Sequence, residues 1–160
     1  MASTQRVLLS VEEYLAEVLA LVRPLTDTER VPLAEAAGRT LAEPVLARAD
    51  VPTFANSAMD GYAVRAADLV PGVTLHVAGE VLAGSAEDPV FGRCACVRIM
   101  TGAPLPSRAD AVVPVEQTTP VEGGVRIDEV VDVGRHVRRA GEDVRAGDVL
   151  LTSGLGGRFP

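Results

Sequence analysis

From Val51 onward the sequence is broken every few residues by glycine or proline, and that punctuation limits what the chain can build. Both residues interrupt helices and central strands, so each regular element here must be short. Between the breaks lie five Val-rich runs, at residues 61–65, 73–77, 94–99, 111–116 and 124–128. Branched side chains pack well on a pleated surface, and short runs bounded by turn residues read as strands. Their spacing predicts a mainly β fold with a few short helices, a compact barrel or sandwich-like module and not a parallel α/β sheet. A last strand is expected at 148–151, and the stretch 153–160, which loses all periodicity, is expected to be a frayed tail.

The chain opens differently. Ser10 with Glu13 makes a capping-box pattern, with Leu9 and Tyr14 at the hydrophobic-staple positions. Leu15, Val18, Leu19 and Val22 then recur at helical spacing, and Pro24 stops the run, which predicts an amphipathic helix over 11–22. Residues 29–33 read as a brief strand or entry turn, 33–37 as a helical turn ended by Gly38, and 41–47 as an edge strand because of Pro44. Three regions are therefore expected: the helix in 1–27, linker segments at 28–52 and 140–160, and a β-rich module at 53–139.

Composition narrows the function classes. The 160 residues carry 15 basic and 22 acidic side chains, a net charge of −7, which excludes a general nucleic-acid binder. Hydrophobic residues make up 48%, enough for a core. No apolar run is long enough for a membrane span and no signal-peptide pattern opens the chain, so a cytoplasmic protein is expected. Cys94 and Cys96 are too close for an unstrained disulfide and, without further Cys or nearby His, read as buried thiols.

Three segments can carry chemistry. In 56–64, Asn56, Ser57 and Asp60 offer several oxygens within one turn, suited to a water, a hard cation or a substrate hydroxyl. The same residues also make an ordinary Asx turn leading into a strand. In 97–106, Thr101 presents a hydroxyl and Gly102 an amide at a strand end where oxyanions can be held, or simply terminates the strand. In 138–143, Arg138 and Arg139 can grip a phosphate, and Glu142 and Asp143 can hold a metal or accept a proton; a solvated charge run is the other reading. No phosphate-loop, dinucleotide or nucleophile-elbow motif occurs.

Taken together, the strings Phe54-Ala55-Asn56-Ser57-Ala58-Met59-Asp60-Gly61-Tyr62-Ala63-Val64, Arg98-Ile99-Met100-Thr101-Gly102-Ala103-Pro104 and Arg138-Arg139-Ala140-Gly141-Glu142-Asp143 resemble a known family. They occur in the order and spacing of the N-terminal part of the molybdopterin molybdenumtransferases, the MoeA and gephyrin E-domain family, over about residues 9–151. The resemblance implies a role in molybdenum cofactor biosynthesis: molybdenum from molybdate is inserted into adenylylated molybdopterin, AMP is released, and a divalent cation such as Mg²⁺ assists. It implies a homodimer whose cleft lies between the 53–139 module and the partner subunit's pterin-binding domain, with molybdopterin adenylyltransferase as functional partner. Asp60 and Thr101 match catalytic positions lining that cleft, and Asp143 another acidic position near it. The expected set is thus Asp60 and Thr101 as catalytic, Asn56, Ser57, Arg138 and Arg139 as substrate-binding, and Asp60, Glu142 and Asp143 as metal ligands. The family usually has Asp where this chain has Ala55, and 155–160 departs from the usual continuation. A fragment incapable of metal transfer alone is therefore expected; a non-catalytic dimerisation or scaffold module with the same β fold is the alternative.

Overall fold

The computed structural model describes residues 9–155, which fall into two units. In the first, residues 9–42 with 154–155, helix α1 runs over Val11–Ala20. Its capping box forms as expected: Ser10 Oγ accepts from the Glu13 amide at 3.2 Å, and Glu13 accepts from the Ser10 amide at 2.8 Å. The helix ends two residues earlier than expected, because the amides of Leu21 and Val22 bond back three residues and tighten the last turn ahead of Pro24. None of its residues is buried, so the stripe of Leu15, Val18, Leu19 and Val22 remains open. Residues Leu33–Glu35 form one 3₁₀ turn, and no strand forms at 29–33. Gly154 and Leu155 exchange backbone hydrogen bonds with Leu41 instead of fraying. The rest of the expected tail, 156–160, lies outside the described residues.

The second unit, Glu43–Ser153, holds ten strands. They are β1 (Val45–Leu46), β2 (Asn56–Ser57), β3 (Gly61–Val64), β4 (Thr74–Val81), β5 (Ala95–Ile99), β6 (Ala111–Pro114), β7 (Thr118–Val121), β8 (Gly124–Ile127), β9 (Val137–Arg138) and β10 (Val149–Leu151). Six make one curled sheet in the order β6-β3-β5-β4-β8-β7, antiparallel throughout except for β4 with β5. β1 pairs with β10 and β2 with β9. The first of these pairings, with a bridge between Val51 and Val144, places 43–52 and 140–153 in the same unit as the β module.

Each face of the large sheet carries a buried cluster. Ala63, Val97, Ile99 and Val112 join one buried cluster with Val81 and Phe91. Their strand neighbours Val64, Cys96, Ala111 and Val113 point the other way, into a cluster with Leu75, Val125 and Ile127. Burial on both sides at β6 explains why that strand is apolar at every position and not alternating. Gly61 is required by close approach: a Cβ there would fall under 3.0 Å from the Val113 carbonyl oxygen on β6. Among the described residues, no helix is long and apolar enough to cross a membrane.

Sequence patterning missed β2, β7 and β9 and shortened β4. Two-residue strands carry no periodicity to read. Pro120 interrupts the pattern of β7, yet it is tolerated there because β7 is an edge strand whose single partner is β8.

Candidate functional site

The three segments singled out in the sequence meet within the second unit. β2 pairs with β9, so Asn56 lies opposite Arg138 and Ser57 opposite Val137. On the other side of the same segment, the Ser57 amide donates to Ala103 O at 3.0 Å and the Gly102 amide donates to Ser57 O at 2.9 Å. The Ala58 amide closes the arrangement by donating to His136 O at 2.9 Å. Residues 56–60, 101–104 and 136–138 thus form one backbone-bonded knot, although they lie far apart in the chain.

Asp60 stands exposed at its edge. Its Oδ1 accepts from both the amide and the hydroxyl of Thr101, each at 2.7 Å. Those two donors, the hydroxyl foremost, hold the Asp60 carboxyl below its ordinary value of 3.8, and the positive charge of Arg98 adds a smaller pull. Asp60 is therefore an ionised acceptor with one oxygen fixed and Oδ2 left for another donor. The Thr101 hydroxyl proton is committed to Asp60, and the Gly102 amide is committed to Ser57, so neither donor is free to hold an oxyanion.

Asn56 and Ser57 are both buried within the knot. Ser57 is 1% exposed; its hydroxyl donates to Met59 O at 2.6 Å and accepts from the Met59 amide at 3.3 Å. Asn56 is 6% exposed, and its Nδ2 donates to Phe54 O at 3.2 Å. Both side chains are turned inward and shape the turn that presents Asp60. Arg138 pairs closely with Asp143. The Arg139 amide donates to Glu142 Oε2 at 2.8 Å, so Glu142 serves its own turn.

These commitments answer the question of a cation. Among the described residues, no group of three or more His, Cys, Asp or Glu is arranged to hold a metal. Asp60, Glu142 and Asp143 are not gathered into one ligand set; one is spent on Thr101, one on a backbone amide and one on an arginine. The residues present do not by themselves fit a Mg²⁺ site, which takes oxygen ligands free to converge octahedrally.

Sequence reading overlooked one pair. Arg98 is 56% exposed on the side of its strand, and its Nε lies 3.5 Å from Glu80 Oε1. The available signal was a lone arginine flanked by Val97 and Ile99 in an otherwise apolar strand, which must face away from both. Of the cysteines, Cys94 is exposed and Cys96 buried, with burial pushing the Cys96 thiol up to about 12. The expectation of two buried thiols holds for one.

The arrangement has known counterparts. The model of the MoeA N-terminal region, domains I and II, matches residues 9–155. The chain belongs to this family. It is 46% identical over 130 residues to the molybdopterin molybdenumtransferase of Haemophilus influenzae, covering 81% of this chain and 32% of that protein. It is 43% identical over 153 residues to molybdopterin molybdenumtransferase 2 of Mycobacterium tuberculosis, covering 91% of this chain and 37% of that one. The crystal structure of the molybdopterin biosynthesis MoeA protein of Pyrococcus horikoshii superposes with a TM-score of 0.80 at 34% identity, covering 92% of this chain and 40% of that one. The family resemblance read from the three strings holds, as does the mainly β fold. The chain spans about a third of the length of the two MoeA-family transferases.

Proposed function

We propose that the chain supplies the N-terminal share of a molybdopterin molybdenumtransferase in molybdenum cofactor biosynthesis. In this reading molybdenum from molybdate is inserted into adenylylated molybdopterin, with release of AMP, in a cleft that the Asp60 face helps to line. One observation carries the assignment: the three family strings converge on one backbone-bonded knot that exposes Asp60 with a single oxygen fixed by Thr101. Holding Asp60 ionised makes it a weak base and a dependable acceptor. Its task is then to orient a water or substrate hydroxyl through Oδ2, with Thr101 as the group that aims it. A Mg²⁺ ion in the cleft needs ligands from beyond these residues, and no step is routed through it.

The reading extends to partners. A second copy of the protein completes the cleft, and a molybdopterin adenylyltransferase supplies the adenylylated substrate, both in the cytoplasm. To test it, residues 9–155 replace the matching region of the Haemophilus influenzae relative, and molybdenum insertion with AMP release is measured. The chimera is expected to turn over, and Asp60→Asn to cut the rate at least about tenfold while the chain stays folded and dimeric. A folded, dimeric but inactive chimera would instead favour the scaffold reading, and full turnover by Asp60→Asn would remove Asp60 from the chemistry.

A further inference from the structure

The register of the large sheet builds a row of polar side chains beside Asp60. Arg98 on β5 lies opposite Tyr62 on β3 and opposite Glu80 on β4. Gly61 pairs with Ile99, which brings Asp60 to the same end of the same two strands. Glu80 reaches this row through an irregularity in β4. Leu75 and Val77 pack in the cluster that contains Cys96, so strict alternation would turn residue 80 to the opposite face. The register shift between Val77 and Glu80 reverses that, sending Val81 into the other cluster and Glu80 to Arg98.

Charge decides what such a row is for. The chain carries −7 overall, and Asp60 is ionised, so an oxyanion approaching Asp60 meets repulsion unless a cation stands next to it. Arg138 does not meet that need, because it is closely paired with Asp143. Arg98 differs. It meets Glu80 through Nε at 3.5 Å, an ion pair too long for a strong hydrogen bond. Among the described residues, no hydrogen bond engages its terminal amino groups. Glu80 thus tethers the guanidinium at one end and leaves open the planar fork that matches tetrahedral oxyanions. We propose that Arg98 is the oxyanion-holding residue of the Asp60 face, with Glu80 as the positioning residue that aims it. The oxyanion is either molybdate itself or the phosphoanhydride of the nucleotide-bearing substrate; that choice of sources rests on the transferase reading above.

The test is an NMR titration of the 160-residue chain, with sodium molybdate in one arm and ADP in the other. The arginine Nε–H signals and the Thr101 amide are followed. Saturable shifts at Arg98 and Thr101 are expected, and the arm that saturates names the source. Arg98→Gln is expected to weaken binding at least about tenfold, and Arg98→Lys several-fold, since it keeps the charge and loses the fork. Arg126→Gln, which removes the same charge from a pair with Asp128 on another strand, is expected to change binding less than about twofold. Absence of saturable shifts at Arg98 with either anion overturns the proposal, as does equal weakening by Arg98→Gln and Arg126→Gln. The readout needs no turnover. Binding at Arg98 alongside an inactive chimera strikes the transferase reading alone, and an active chimera without binding at Arg98 strikes this proposal alone.

Discussion

Replacing Gly61 with alanine puts one methyl group where β3 and β6 come closest. An added Cβ would sit under 3.0 Å from the Val113 carbonyl oxygen, 2.9 Å from its carbon and 3.0 Å from Pro114 Cα. All three are backbone atoms, so no side chain can swing aside. Relief requires the strands to part by about 1 Å, a large fraction of the slack in a ladder spaced about 4.8 Å. Overpacking of this kind costs about 1–3 kcal/mol, and a ladder hydrogen bond lost at that end adds about 1 kcal/mol. Alanine's stiffer unfolded chain returns about 0.4–1 kcal/mol. The net is a loss of about 1–4 kcal/mol, or roughly 4–25 °C in Tm for a unit of this size. Gly92→Ala is the matched control, because a Cβ there meets nothing within 4 Å. Urea unfolding followed by far-UV circular dichroism compares the two. Equal stability of the Gly61→Ala and Gly92→Ala chains would refute the close-packing argument and, with it, the reason Asp60 is followed by glycine.

Two further outcomes follow from the site and the core. Thr101→Val removes the hydroxyl that contributes most to lowering the Asp60 carboxyl, so an NMR pH titration should show Asp60 moving up toward its ordinary 3.8. Because the folded value lies below the unfolded one, the stabilisation from this contact is full above pH 3.8 and is lost as pH falls through the folded value; the stability gap between wild type and Thr101→Val must therefore shrink on acidification. An unmoved Asp60 titration would show that the hydroxyl contact does not form in solution. For the thiols, a disulfide reagent at pH 8 should label Cys94 in the native chain and reach Cys96 only after denaturation, since the Cys96 thiol is buried and pushed up to about 12. Rapid labelling of both would contradict the packing of β5.

Local rules carried much of the fold. The capping box at Ser10 and Glu13, the stop near Pro24 and the Val-rich runs between turn residues are each satisfied within a few residues of chain, so their outcome is visible in order and spacing alone. The three strings also named the family and pointed to Asp60 and Thr101. Their contact was not legible, because the residues are 41 apart and only the antiparallel pairing of β3 with β5 brings them together. The same holds for the partners of the other candidate residues. Asn56 and Ser57 read as ligands because their chemistry suits ligands; in the fold they are buried between β9 and the 102–104 loop, where a buried polar group must bond its neighbours. Glu142 and Asp143 read as metal ligands until the turn claimed one and Arg138 the other. Arg98 stood only as the first residue of a family string and its pairing with Glu80 was not legible, since a one-residue irregularity in β4 decides which face Glu80 takes and no local pattern records it. Composition and spacing determine which groups a chain can offer, but whether an offered group stays free depends on partners brought in by long-range strand pairing, and those are decided in three dimensions.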